Sequence, residues 1–348
     1  MTRQVRLILE LGAQDQHHEG SAGETIRTDV VSWYLNSARL AETAKLDAVL
    51  ITDADASSDH SETLPINGLD SLTLIAALSL HTSSLGLIGE VSPRRHPVYD
   101  AARRVAGVDT ISAGLSGLAV STSQGSESDG KSAEEFVVAA RDLWSSWEPD
   151  AFVGDQESGV FVDTEKVHPA KFRGETLATA GPLNVPRSPQ GLPVVVSNVA
   201  ALHRSERSFP DIVLGSPTDI EQAQEFYSDV KDRARSIGLD PDEVLVVARV
   251  STTVGQANSA QSELVVSGAA ESIADVLVDW VESRAADGFL LVSRSDSGVL
   301  GWVDHVVPEL VRRNKFRRDY EEDTLRGHLG LSTPSYLLPS NAIGSSTP

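Results

Sequence analysis

Five segments decide the fold: AVLIT (48–52), SLTLIAALSLH (71–81), LGLIGEV (85–91), VYDAARRVAGVDTIS (98–112) and LSGLAVS (115–121). The first, third and fifth are short aliphatic runs of strand length. The second and fourth are longer, with apolar residues on one side of a helical wheel. Strand, helix, strand, helix, strand predicts a parallel sheet built by right-handed crossovers.

The same alternation extends in both directions. Further strands are predicted at Val5–Leu11, Pro193–Ser197, Ile212–Leu214, Val244–Thr253 and Phe289–Val292. Further helices are predicted at Asp29–Ala44, Ala133–Ser146, Asp219–Ile237, Glu271–Ala286 and Trp302–Arg312. Ile220, Ala223, Phe226 and Val230 share a helical face, as do Ile273, Val276, Leu277, Trp280 and Val281. Ser132 with Glu135, and Thr218 with Glu221, fit the capping box, in which each side chain satisfies a free backbone N–H. Eight strand candidates predict an α/β fold, a closed (β/α)8 TIM barrel. An open doubly wound sheet is the alternative. No Gly-x-Gly-x-x-Gly follows the first strand, which disfavours a dinucleotide-binding Rossmann domain.

Two stretches interrupt the pattern. Glu148–Gly191 is long and rich in Gly, Pro and acidic residues, with Phe172–Leu177 expected as a small lid-like hairpin over the barrel mouth. Leu331–Pro348 is rich in Ser and Pro without periodicity. Residues 1–330 are therefore read as a single barrel domain and 331–348 as a flexible tail.

Composition narrows the function. The chain has 348 residues, with 29 Lys and Arg against 50 Asp and Glu, a net charge of −21. No basic stripe offsets this acidity, so nucleic acid and anionic membranes are not expected partners. No apolar run reaches the roughly 18 residues of a membrane span. Cysteine is absent, which excludes disulfides, thiolate metal sites and Cys nucleophiles. A cytoplasmic protein is the expectation. The motifs Gly-x-Ser-x-Gly and His-Glu-x-x-His are both missing.

In a barrel of this kind the active site lies at the C-terminal strand ends. The polar residues there are Gln14 to His18, Thr52 with Asp53 and Asp55, Glu90 with Ser92, Ser121 to Gln124, and Ser197 with Asn198. Hydroxyls, amides and one or two carboxylates suit a polar heteroaromatic ligand and make a poor metal site. Each also has a structural reading. His17 and His18 can be surface loop, Asp53 and Asp55 a turn cluster, Arg94 and Arg95 solvated charges, and Trp144 and Trp147 packing.

Blocks along the chain carry a resemblance. They are Ala41–Ala48 with Thr52-Asp53, Leu74–Leu78 with Leu85-Gly86-Leu87, Pro97–Arg103, and Val108–Gly114. Leu143–Trp147, Gly181–Gly191, Ala286–Phe289, Val306–Leu310 and Thr324–Leu331 follow. In these the chain resembles the flavin-dependent monooxygenases of the bacterial-luciferase-like superfamily, in the branch of nitrilotriacetate and dibenzothiophene-sulfone monooxygenases. The resemblance implies a TIM barrel that binds reduced FMN supplied by a separate flavin reductase, activates O2 at the flavin and oxygenates a small organic substrate. It implies that Asp53 and Ser92 lie near the flavin ring, Thr122 and Ser123 along the ribityl chain, and Ser197 to Ala201 at the phosphate. His18 falls on the substrate side as the catalytic candidate. A homodimer is implied, with the Leu72, Leu74, Ile75 and Leu78 face as the pairing surface.

The chain departs from the branch at several positions. Glu90 stands where the family has Thr, Ala119 where it has Asn, and Val199 where it has a phosphate-loop Gly. The family's His-x-x-x-Arg-Tyr has no counterpart in Gln124–Lys131, and Gly255–Gly268 is shorter than the family's insertion. A carboxylate opposes an electron-rich ring, and a side chain blocks backbone approach to phosphate. Weak or lost flavin binding is therefore expected. The alternatives are a flavin-free or weakly flavin-binding paralogue with a structural or regulatory role, and a relative that uses F420.

Overall fold

The structure, a computed structural model, describes residues 3–12, 26–52, 69–121, 127–198, 205–252, 264–292 and 296–340. Eight parallel strands form its centre: β1 Arg6–Leu11, β2 Ala48–Ile51, β3 Gly86–Val91, β4 Ser116–Val120, β5 Val194–Ser197, β6 Ile212–Gly215, β7 Leu245–Thr252 and β8 Gly288–Val292. They run in the order β6-β5-β4-β3-β2-β1-β8-β7, and pairing of β6 with β7 closes the barrel. Leu264–Val266 adds to the upper part of β7 from outside, with Leu264 opposite Val250. The expected (β/α)8 barrel is therefore the observed fold.

The strand registers define its interior. Carried round the barrel from Glu10, the parallel pairings return to β1 eight positions lower. That is the shear of an eight-stranded TIM barrel, in which alternate strands contribute four side chains to each inner layer. The layers read upward as Ala48, Gly117, Ile212 and Gly288; then Ile8, Ile88, Val196 and Val247; then Leu50, Ala119, Leu214 and Leu290. Their apolar members form one interior cluster, sealed from below by Leu325, Leu329 and Leu331.

The seal is helix α9, Leu325–Leu329, which enters the N-terminal end of the barrel. Two glycines make room for it. A Cβ on Gly86 would lie 2.5 Å from Leu325 Cδ1, and one on Gly117 would lie 3.4 Å from Cδ2. Thr324 caps the helix by accepting from Gly327 N, and Gly330 ends it at a φ of 72°. That left-handed conformation suits glycine.

A repeated device sets the strand starts at this end. Asp47, Asp211 and Asp287 each precede an even-numbered strand and clasp the strand before it. Asp47 N donates to Leu7 O (2.9 Å) while its carboxylate accepts from Leu7 N (2.6 Å). Asp211 does the same with Val195 (2.9 and 2.8 Å), and Asp287 with Val246 (2.7 and 2.9 Å). Each carboxylate also meets cations: Arg317 for Asp47, Arg326 and Arg141 for Asp211, Lys231 and Arg3 for Asp287. The start of β4 uses Asp109 instead, which accepts from Ser116 N (3.0 Å) and Gln190 Nε2 (2.6 Å).

Helices surround the barrel. In α2, Ser71–Leu78, the side chains of Leu72, Leu74, Ile75 and Leu78 are all buried against the chain's own barrel. A Cβ on Gly89 would lie 2.7 Å from Leu72 Cδ2. The face expected to serve pairing is instead covered by the chain's own barrel and is not open to a second copy. Trp144 and Trp147 are packing residues whose indole N–H groups donate to Ala102 O (2.9 Å) and Leu183 O (2.7 Å).

The segment between α4 (Glu127–Trp144) and β5 forms two small hairpins, Phe152–Asp155 with Val160–Val162 and Phe172–Arg173 with Ala178–Thr179. The second is fastened to α4 by Glu135, whose carboxylate accepts from the N–H groups of Glu175, Thr176 and Leu177. Burial raises that carboxyl and the hydrogen bonds outweigh it, leaving its pKa below the usual range. Beyond α9 the chain lies along the barrel, with Tyr336 donating to Ser145 O and Ser340 to Asp142.

Candidate functional site at the barrel mouth

Above the Leu50 layer the interior changes character. The next inward positions, by the same registers, are Glu10 on β1, Glu90 on β3, Asn198 following β5 and Arg249 on β7. All four are polar and three are charged. The level above brings Thr52, Ser121 and Ser216 together with the apolar Val292, and Ser92 and Ser251 stand over Glu90 and Arg249. Strand alternation dictates this, since residues two apart share a face. The barrel thus has a dry apolar trunk and a charged floor just beneath its C-terminal mouth.

Glu10 and Arg249 meet on that floor. Arg249 NH2 lies 2.8 Å from Glu10 Oε1 and 2.7 Å from Oε2. The Glu10 side chain is 13% exposed and that of Arg249 is 29% exposed, so the guanidinium is the more open of the two. Removing an ion pair from water is costly, and a partly buried pair is weak evidence for stability. Its position at the functional end of the barrel is the more informative fact. Glu90 is half-buried, and its backbone carbonyl accepts a hydrogen bond from Ser71 Oγ.

Of the residues singled out from sequence, Ser92 lies on the inward face above Glu90, its carbonyl accepting from Arg95 N and His96 N at 3.0 Å each. Ser197 alternates between inward Val196 and Asn198, so it faces the helical layer, where it is 1% exposed. His18, Asp53, Thr122, Ser123 and Ala201 lie outside the described residues, as does Val199. Arg94 is an anchor, donating to the buried Asp129 at 2.8 Å and tying the loop after β3 to α4. Glu10 and Arg249 belong to no sequence motif. Their signal was a charge inside each of the aliphatic runs RLILEL and LVVARVST, at the position sharing a face with Ile8 and Val247.

The donor set can be compared with FMN. Hydroxyls, an amide and one guanidinium at the mouth match the hydrogen-bonding edge of an isoalloxazine and a ribityl chain, and the apolar trunk below excludes water from that side. The hydroxyls, the amide and the guanidinium fit the group, whereas the Glu90 carboxylate on the same floor opposes an electron-rich ring. Among the described residues no three His, Asp or Glu side chains converge as a metal site, and no helix is long and apolar enough to cross a membrane.

Comparison with known proteins agrees with this architecture. The profile of the luciferase-like monooxygenase family matches residues 9–287. The dibenzothiophene-sulfone monooxygenase of Rhodococcus erythropolis is 28% identical, over 87% of this chain and 90% of the relative. Nitrilotriacetate monooxygenase component A of Aminobacter aminovorans is also 28% identical, over 88% of this chain and 91% of its own length. These alignments span 410 and 414 positions against 348 residues here, so the relatives hold residues this chain lacks. The crystal structure of a long-chain alkane monooxygenase superposes with a TM-score of 0.81 at 23% identity, covering 99% of both chains. This protein therefore belongs to the luciferase-like monooxygenase family.

Proposed function

We propose that this monooxygenase takes reduced FMN from a separate flavin reductase and, with O2, oxygenates a small organic substrate at the C-terminal mouth of its barrel. The observation that carries the reading is the abrupt change from apolar layers to the charged and hydroxyl-rich floor, in a chain of this family. Bound reduced flavin supplies the two electrons that activate O2. The chain's part is to bind, orient and keep dry. The trunk layers and the α9 seal exclude water from beneath. Glu10 holds the Arg249 guanidinium at the floor. Ser92, Thr122 and Ser123 offer hydroxyls, Asp53 lies near the ring, the segment that follows the outward-facing Ser197, as far as Ala201, meets the phosphate, and His18 stands on the substrate side.

Glu90 and Val199 weaken flavin binding in this reading. Loss of a charged hydrogen bond costs roughly 1.5–3 kcal/mol, or about 10- to 100-fold in affinity. The protein is then purified without flavin and binds FMN more weakly than micromolar. A fluorescence titration giving a submicromolar Kd would refute the weak site, and failure to oxygenate any substrate with reductase and saturating FMN would refute the activity. Glu90→Thr with Val199→Gly tightens FMN if the reasoning holds.

The protein is further proposed to be a cytoplasmic homodimer, paired through a surface other than the buried α2 face. Light scattering that shows a monomer at micromolar concentration would contradict the pairing.

A further inference from the structure

We infer that a groove on the outside of the barrel base, between α5 and the end of α6, binds a small phosphate-bearing anion through Arg235 and Arg284. The site lies at the opposite end of the barrel from the mouth and stands independently of the monooxygenase reading.

One face of α5, Ile220–Ser236, carries Gln224, Tyr227, Ser228, Lys231 and Arg235, the i, i+3, i+4, i+7 and i+11 positions of a helical stripe. With Ser283 and Arg284, just past α6 (Ala270–Glu282), these residues line a groove of about 250 Å3. Gln224 Nε2 donates to Ser283 O at 3.1 Å and joins the two walls. The groove belongs to the base of the barrel. Tyr227 OH donates to Asp287 at 3.2 Å and Lys231 pairs with Asp287 at 2.8 Å, and Asp287 is the residue that clasps the start of β7.

The sign of the charge selects the ligand. Among the described residues, those that line the groove include no carboxylate. Lys231, Arg235 and Arg284 line it, and Arg3 adjoins it by donating to Tyr227 OH at 2.9 Å. Asp287 answers Lys231 and Arg3, and Asp232 answers Arg235. Asp242 acts on Arg3 as the weakest of its attractions. A surplus of positive charge remains, in a chain that carries −21 overall, and such a local reversal of sign concentrates anions. Lys231 is spent on Pro241 O, Val244 O and Asp287, so it supplies field rather than contact. The contacts fall to the two arginines. The Arg235 side chain is 57% exposed, and the exposed Arg284 makes no side-chain hydrogen bond or ion pair among the described residues. Guanidinium groups match phosphate oxygens in bidentate geometry, and the Ser228 and Ser283 hydroxyls add donors to the same groove.

The test uses the full-length chain and three probes at one ionic strength: inorganic phosphate, ribose 5-phosphate and acetate. The pH is mildly alkaline, where both phosphates are dianions. Binding is read by calorimetry. The expected result is saturable binding of a phosphate probe, at least about fivefold tighter than acetate. Tighter ribose 5-phosphate assigns the groove to phosphate monoesters and tighter inorganic phosphate to the free ion, and either supports the inference. No saturable binding of either phosphate, or a smaller preference over acetate, would overturn it. Arg235→Gln with Arg284→Asn removes both open guanidinium groups. Both side chains are exposed, and asparagine suits the left-handed φ of 61° at position 284, so the fold is retained. The double variant should bind phosphate about 10-fold more weakly or worse. A smaller loss would place the anion elsewhere on the chain and overturn the inference.

Discussion

Replacing Leu325 with alanine tests what seals the barrel. Leu325 is fully buried, and its methyl groups fill the space left by Gly86 and Gly117 at the strand starts. Large-to-small changes cost least where the surroundings can collapse into the gap. Here they are held. Leu325 N donates to Gly114 O at 2.9 Å, and the next residue, Arg326, is locked by Asp211 at 2.7 Å and Leu192 O at 2.9 Å. The cavity therefore stays open, and the cost belongs at the upper end of the range for such changes, about 3–5 kcal/mol. That is a large share of the roughly 5–15 kcal/mol total of a typical domain. Urea unfolding followed by circular dichroism should show a lower midpoint with an unchanged slope. FMN affinity should stay within about twofold, because the apolar trunk separates the seal from the mouth. A destabilisation below about 1 kcal/mol would show that α9 is ornamental to the barrel and refute the reasoning.

Other expectations follow from the same geometry. Asp211→Asn leaves Arg326 and Arg141 buried without their anion and should cost about 3–5 kcal/mol by denaturant unfolding. Burial alone raises the Asp211 carboxyl, but the two guanidinium groups outweigh it and hold it below its ordinary value of 3.8. Its stabilisation is thus present above that value and lost as pH falls through the lower folded pKa, and acid unfolding of wild type should be steeper there than in the variant. Burial depresses the pKa of His328, which is hydrogen-bonded to Glu322 O at 2.7 Å, below 6.5. The unfolded chain takes up the proton first, so stability should decline as pH drops below about 6.5, and His328→Gln should flatten that decline. Glu135→Ala removes the acceptor that gathers three backbone N–H groups of the Phe172–Thr179 hairpin, and their hydrogen exchange should accelerate about 10-fold or more while barrel strands keep their protection.

Periodicity was enough to read the barrel. Each strand run is nearly continuous in aliphatic residues because parallel strands are buried on both faces. The motif blocks were legible as family markers, yet their physical work lies far from the chemistry. Asp47, Asp109 and Asp287 sit in three of those blocks and clamp strand starts. The Thr324–Leu331 block is the barrel's plug. Gln190 and Ser188, in the Gly181–Gly191 block, serve Asp109. Composition and motif matching also passed over Glu10 and Arg249, because an isolated charge in a strand has no motif. Only the register shows that two residues 239 positions apart share a layer. The apolar face of α2 misled for the complementary reason: a hydrophobic stripe says that a face is covered and not by what.

The central claim is that flavin sits at the C-terminal mouth of the barrel. Hydrogen–deuterium exchange of the full-length chain with and without millimolar FMN tests it most directly. Protection should be gained at the strand ends, around Gly12, Thr52, Ser92, Ser121 and Asn198, while the base around Asp211 and Leu325–Leu329 is unchanged. Protection confined to the base, or none at millimolar FMN, would contradict the account.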